Sequence, residues 1–259
     1  MCHMPSSASS KPASGRQFVP LASRLVRRAS IFAALLLGAG IALRGFPSGA
    51  ESARLIPPPM LDEPANPRAT AEVAILAGGC FWGVQGVFQH VAGVTSAISG
   101  YTGGTANTAH YGVVSTTTTG HAESVRVVFD PHLISYGRIL QIYFSVAHDP
   151  TELNRQGPDV GSQYRSAIFP TNPEQARIAE AYIAQLNQVH VFDAPIVTKV
   201  EPDRDFYPAE DYHQDFLARN PRYPYIVIND LPKIENLRRL FPDYHRATPA
   251  LVAAAAPRN

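Results

Sequence analysis

One cysteine in this chain sits where nucleophilic chemistry could be done. Cys80 follows Gly78 and Gly79 and precedes Phe81, Trp82 and Gly83. Here the apolar run Val73-Ala74-Ile75-Leu76 gives way to a helical spacing of apolar residues, Val84, Val87, Phe88 and Val91. Two glycines let the backbone bend sharply between strand and helix, which places the sulfur at a helix N-terminus. Free N–H groups and the helix dipole favour a thiolate there, and the thiolate is the nucleophilic form of cysteine. Without such a setting a cysteine is more often a small buried apolar residue. The glycines, the turn and the chain's only tryptophan favour the reactive reading. His121, His148 and His213 have no cysteine pair and no helical-turn spacing, so no metal site is expected. No phosphate-binding glycine loop or dinucleotide fingerprint is present, so no cofactor is expected either.

The elements around this turn alternate. A strand leads into Cys80 and a helix leaves it, followed by a second strand over residues 94–101. The polar, Gly- and Thr-rich stretch 102–120 is long for a loop, which suggests a functional role. A third strand is expected over 124–129, ended by Asp130-Pro131, and a helix over 133–147 with Leu140, Tyr143, Phe144 and Ala147 on one face. A second irregular stretch, 148–162, precedes a strand over 164–169. Asn172-Pro173-Glu174 then starts a helix with a cap, a first-position proline and an acid in the first turn. A last strand is expected over 196–200. The order βαββαβ, then αβ, predicts an α+β fold: a two-layer, ferredoxin-like (split βαβ) core with a mixed sheet, helices on one face, long irregular loops and a C-terminal coil.

Charge is uneven along the chain. Residues 1–50 hold six of the 22 basic residues and no acid, leaving 16 basic against 21 acidic ones, a net of about −5, from residue 51 on. That balance argues against nucleic acid as a partner. The first fifty residues read as a targeting segment: Arg24, Arg27 and Arg28, an apolar run over 31–43, then Ser48-Gly49-Ala50 for a signal peptidase. The run is shorter than the roughly 20 residues that span a bilayer. Export, to a periplasm, is the expectation; an uncleaved membrane anchor and an organellar transit peptide are the alternatives. Residues 51–70, with Pro57-Pro58-Pro59, Pro64 and Pro67, read as an extended linker, 71–245 as the folded domain, and 246–259 as a disordered tail.

Several segments, in order, resemble the peptide methionine sulfoxide reductase A family. They are Gly79-Cys80-Phe81-Trp82-Gly83, Gly100-Tyr101-Thr102-Gly103-Gly104, Gly120-His121-Ala122-Glu123, His148-Asp149-Pro150-Thr151, Asn154-Arg155-Gln156-Gly157, Gln163-Tyr164-Arg165-Ser166 and Ala209-Glu210-Asp211-Tyr212-His213-Gln214. The resemblance implies reduction of methionine S-sulfoxide, peptide-bound or free, in the repair of oxidised proteins. Cys80 would attack the sulfoxide sulfur and become a sulfenic acid. The leaving oxygen needs a proton, and the resemblance assigns it to Glu123, whose pKa burial beside aromatic rings would raise. Tyr111 and Tyr164 match two tyrosines that hydrogen-bond the sulfoxide oxygen. Phe81 and Trp82 would form the pocket for the S-methyl group, where a sulfur–aromatic contact is worth about 0.3–1.5 kcal/mol. Asp159 matches an aspartate that positions water or a tyrosine. His148 and His213 read as hydrogen-bonded scaffold.

The chain departs from the family pattern twice. Thr117 stands where a glycine is usual between Tyr111 and Glu123, so the conformation of that loop is open. No cysteine follows Cys80, and Cys2 would leave with a cleaved targeting segment. Recycling would then need an external thiol or a thioredoxin-like partner attacking the sulfenic acid. A monomer is expected. Two other readings compete: a cysteine hydrolase using Cys80 and His213, and a non-catalytic module that docks methionine-rich segments on Phe81 and Trp82.

Overall fold

A computed structural model describes residues 53–64 and 68–252. The expected targeting segment 1–50, Cys2 and the tail from 253 lie outside the described residues.

Six strands form the central sheet. In chain order the first elements are β1 (Glu72–Ala77), α1 (Phe81–Gln89), β2 (Val94–Thr102), α2 (Tyr111–Val114), β3 (Ala122–Phe129) and α3 (Tyr136–Ile142). A two-stranded ribbon, β4 (Arg155–Gln156) with β5 (Asp159–Val160), comes next, then β6 (Ala167–Phe169) and α4 (Pro173–Gln188). The chain ends through β7 (Lys199–Val200), β8 (Phe206–Pro208), α5 (Phe216–Arg219) and α6 (Leu231–Leu240). The sheet order is β7-β6-β1-β3-β2-β8. β3 runs antiparallel to both β1 and β2, so those two are parallel with β3 between them, the split βαβ arrangement. β7 pairs parallel to β6, which makes the sheet mixed.

Alternation sorts the two faces. Ala74 and Leu76 of β1 enter the main core, whereas Ile75 and Ala77 join a small cluster on the opposite face with Ala122, Ala167 and Phe169. α4 starts as its sequence requires: Asn172 Oδ1 accepts from the Gln175 N–H at 2.8 Å, with Pro173 in the first turn.

All nine residues of α1 are buried, including Gln85 and Gln89. A helix buried all round must be covered on the side away from the sheet. Here α5 and α6 supply the cover, so the expected C-terminal coil is a correction: it carries two helices. Gln85 and Gln89 are satisfied by this layer. Gln85 Nε2 donates to Gln214 Oε1 at 2.9 Å, and Gln89 Nε2 to Asp215 Oδ1 at 2.7 Å. Three expected elements also change length. The 133–147 helix begins only at Tyr136, capped by Ser135, and widens into a π-type turn over Tyr143–Ala147. The strand expected over 164–169 starts at Ala167, after a 3-10 turn at Ser162–Tyr164. Only Lys199–Val200 of the last expected strand is paired.

The ends are more closely held than expected. Residues 53–64 run extended but docked: Ile56 is 1% exposed, its carbonyl accepts from Gln141 Nε2 at 2.6 Å, and Tyr182 donates to the Pro57 carbonyl at 2.6 Å. The Asp62 carboxylate takes the N–H of Gly137 at 2.8 Å and the Ser135 hydroxyl at 2.5 Å, at the start of α3. Residues 246–252 are bound as well, with the Arg246 guanidinium on the Val94 carbonyl at 3.1 Å and the Val252 N–H on Asp215 Oδ1 at 3.0 Å. These segments belong to the fold, not to a linker and a loose tail. Ile56→Ala is therefore expected to destabilise the protein by about 2–5 kcal/mol, as deletion of a buried aliphatic side chain does. Urea unfolding of the full chain checks this; a loss below about 0.5 kcal/mol would mean that the segment is not docked in solution.

Candidate active site

Cys80 occupies the position that precedes α1, and it is 3% exposed. The turn beneath it requires glycine. Gly79 has φ 86°, and a Cβ there would lie 2.5 Å from the Gln156 side chain. The next N–H, that of Phe81, does not serve the sulfur. It donates to Glu123 Oε2 at 3.0 Å, so the carboxyl group of β3 caps the helix beside the cysteine.

Glu123 is 2% exposed. Loss of hydration pushes its pKa up to about 8; the Phe81 N–H opposes the rise and the Asp159 charge adds to it. At neutral pH the group is a carboxylic acid. With Oε2 accepting from Phe81, Oε1 is the oxygen left to carry the acid's proton.

Aromatic rings enclose the turn. Trp82 stacks on Phe216 with centroids 3.7 Å apart and meets Tyr223 and Tyr225 edge-on at 6.2 and 6.0 Å. Its indole N–H donates to His213 Nδ1 at 3.2 Å. The His213 ring lies 5.0 Å from Phe81 and 4.6 Å from Tyr111. Burial pushes its pKa down to about 4, so it is neutral, with Nδ1 accepting and the proton on Nε2. His148, buried between the Tyr143 carbonyl and Ser166 Oγ, is pushed down to about 3 by burial and then by Lys233. Both histidines are scaffold.

Tyr111 opens the short helix α2, and its N–H donates to Glu210 Oε1 at 3.0 Å. The other oxygen of Glu210 accepts from the Tyr101 hydroxyl at 2.8 Å. Burial, followed by the charge of Glu123, raises the pKa of Tyr111 above its ordinary value, which keeps its hydroxyl a donor. Asp159, fully buried on β5, accepts a hydrogen bond from the Tyr225 hydroxyl through Oδ2. Tyr164 is 4% exposed and ends a turn that packs against β3, the strand of Glu123. Cys80, Phe81, Trp82, Glu123 and Tyr111 are thus gathered by direct contacts or through His213, and Asp159 acts electrostatically on Glu123 and Tyr111.

Residues 72–244 match the family model described as peptide methionine sulfoxide reductase. The chain belongs to this family. A peptide methionine sulfoxide reductase of Mesorhizobium japonicum, MsrA 2, is 59% identical over 196 residues, covering 76% of this chain and all of the relative. One from Synechocystis is 51% identical over 75% of this chain and 92% of its own length. Among solved structures, Mxr1 from Saccharomyces cerevisiae in its reduced form superposes with a TM-score of 0.54 at 30% identity, covering 60% of this chain and 89% of that one. Methionine sulfoxide reductase A of Corynebacterium diphtheriae gives a TM-score of 0.51 at 30% identity over 70% and 93%.

Measured against this methionine sulfoxide reductase family, the departure at Thr117 acquires a physical meaning. Thr117 has φ 69°, the left-handed region where a glycine would be unstrained. The loop is nevertheless held. Ser162 Oγ donates to the Thr117 carbonyl at 2.9 Å, and Arg165 reaches the Gly120 carbonyl at 3.1 Å. Thr117→Gly relieves that strain and is expected to raise stability by up to about 1 kcal/mol, measured by urea unfolding; a loss of that size would assign the threonine side chain a stabilising contact. Glu210, Phe216, Tyr223 and Tyr225 were not legible as site residues. The signals that point to them are the acid inside the Ala209–Gln214 motif and the tyrosine pair around Pro224.

Proposed function

We propose that this methionine sulfoxide reductase works through a sulfenic acid at Cys80, with Glu123 as the acid, on the S epimer of free or peptide-bound methionine sulfoxide. The observation that carries this reading is the buried, neutral carboxyl of Glu123 on the Phe81 N–H, one residue from Cys80. A sulfoxide oxygen leaves only when protonated, and this acid is charged with a proton at the pH of a cell. Cys80 attacks sulfur, Glu123 Oε1 delivers the proton, and the oxygen ends on Cys80. Tyr111 and Tyr164 donate to the oxygen as charge develops, without ionising. Phe81 and Trp82 offer the S-methyl group an apolar wall, and Asp159 fixes the Tyr225 hydroxyl at its edge.

The hydrolase reading finds no support. His213 receives the indole N–H of Trp82 at Nδ1 and is held neutral down to about 4, which makes it a weak base at neutral pH. For recycling, Cys80 is the last cysteine left once a leader carrying Cys2 is removed, which supports an external thiol or a thioredoxin-like dithiol. Detection of a Cys2–Cys80 disulfide during turnover would contradict it. The basic and apolar leader supports export to a periplasm; among the described residues no helix is long and apolar enough to cross a membrane. Action as a monomer is part of the same proposal. The test is turnover of the two epimers of a blocked methionine sulfoxide with dithiothreitol. Consumption of the S epimer alone is expected; consumption of neither would remove the reading.

A further inference from the structure

Beyond residue 4 the chain contains a single methionine, Met60. Among the described residues, none of the buried core side chains is a methionine. Met60 is 84% exposed and lies on the extended segment 53–64, after three prolines. Its backbone is fixed while its thioether is left in solvent: the Met60 N–H donates to Gln185 Oε1 at 2.8 Å, and Gln185 Nε2 donates to the Pro58 carbonyl at 2.9 Å. An exposed thioether on a fixed, extended backbone is open to peroxides and is presented much as a peptide substrate would be. We propose that Met60 is oxidised in place and that a second copy of the chain reduces it, so that the protein is its own substrate in trans.

The proposal rests on the reductase reading above. Its chemistry balances. A peroxide transfers one oxygen atom to the Met60 sulfur and leaves as water. The Cys80 thiol of the second copy attacks that sulfur, the S–O bond breaks, the thioether is restored and the oxygen remains on Cys80 as sulfenic acid. Two equivalents of thiol then return Cys80 to the thiol, releasing water and a disulfide. Placement makes the oxidation reversible. A sulfoxide oxygen buried in a core would lack a partner and cost stability, but at Met60 it meets water. The fold, and with it the Cys80 site, survives its own oxidation. The anchors of residues 56–62 lie on α3 and α4 and in the turn before α3, none of which carries a site residue, so the repairing Cys80 is assigned to a second copy.

The test uses full-length Cys80→Ser protein oxidised with hydrogen peroxide, a substrate that cannot repair itself; Cys80→Ala replaces it should the serine variant not fold. A catalytic amount of unoxidised wild-type chain is added with dithiothreitol and blocked methionine S-sulfoxide in the same tube. Peptide mass spectrometry should show the extra oxygen on Met60 falling to about half, the share of one epimer, and unchanged when wild type is omitted. Met60→Leu should carry no added oxygen on that peptide and should reduce the blocked substrate at the wild-type rate. If Met60 stays fully oxidised while the blocked sulfoxide is consumed, or if Met60 resists peroxide, the proposal is overturned. If neither sulfoxide is reduced, the reductase reading falls and takes this one with it.

Discussion

Glu123→Gln should lower kcat on methionine S-sulfoxide by about 10²–10⁴-fold, the usual contribution of a positioned acid. The amide keeps the shape of the carboxyl group and can still accept the Phe81 N–H, so the helix start and the aromatic box are retained. What it lacks is a transferable proton. The pH dependence separates this from a structural effect. In the wild type Glu123 is protonated below its raised pKa of about 8, so its contribution to turnover is present at neutral pH and lost as pH rises through 8. The variant should show no such limb. Stability gives the matching sign. The folded state holds a proton that the unfolded chain releases near the ordinary value of 4.5, so this group's contribution to stability falls as pH rises from 4.5 to about 8. Glu123→Gln removes that slope, and its stability relative to wild type should improve with pH across that window. A variant that keeps both full turnover and the alkaline limb would place the acid elsewhere.

Cys80→Ser should abolish turnover, by about 10⁴-fold or more, as loss of a covalent nucleophile does. A serine hydroxyl is not ionised at neutral pH and cannot carry the oxygen as a sulfenic acid. The buried position tolerates the smaller side chain at a cost of about 1–3 kcal/mol, within reach of urea unfolding. The site should still bind substrate, because Phe81, Trp82 and Glu123 are unchanged. Equilibrium binding of blocked methionine sulfoxide to this variant, with no product formed, is the expected pairing. Residual turnover near the wild-type rate would end the nucleophile assignment.

Much of the site could be read before the fold was seen, for local reasons. Gly79-Cys80 stands at a strand-to-helix junction that hydrophobic spacing alone exposes, and Asn172-Pro173 announces α4 through capping chemistry. The expected high pKa of Glu123 followed from what sulfoxide chemistry demands, and burial meets that demand. The residues that escaped act over long sequence separations. α6 has Leu231, Ile234, Leu237 and Leu240 at three-residue spacing, but its partner is α1, more than 140 positions earlier. The prolines at 57–59 do rule out a helix and a central strand, yet an extended chain can still dock; the docking is set by Ile56 and by distant donors, Gln141 and Tyr182. Glu210 stands inside a matched segment but has no role legible there, because that role comes from two hydrogen bonds to residues about a hundred positions away. Thr117 was visible as a departure, but that its backbone adopts the left-handed conformation is a fact of three dimensions.

Oxygen is expected to pass from the substrate sulfur to Cys80. A single-turnover reaction without any reductant tests it, using the full chain with Cys2→Ser so that no second cysteine can capture the product. Excess blocked methionine S-sulfoxide should yield one methionine per chain and one added oxygen on the Cys80 peptide, trapped as a sulfenic acid. Methionine formed without oxygen on Cys80, or no methionine at all, would contradict that transfer.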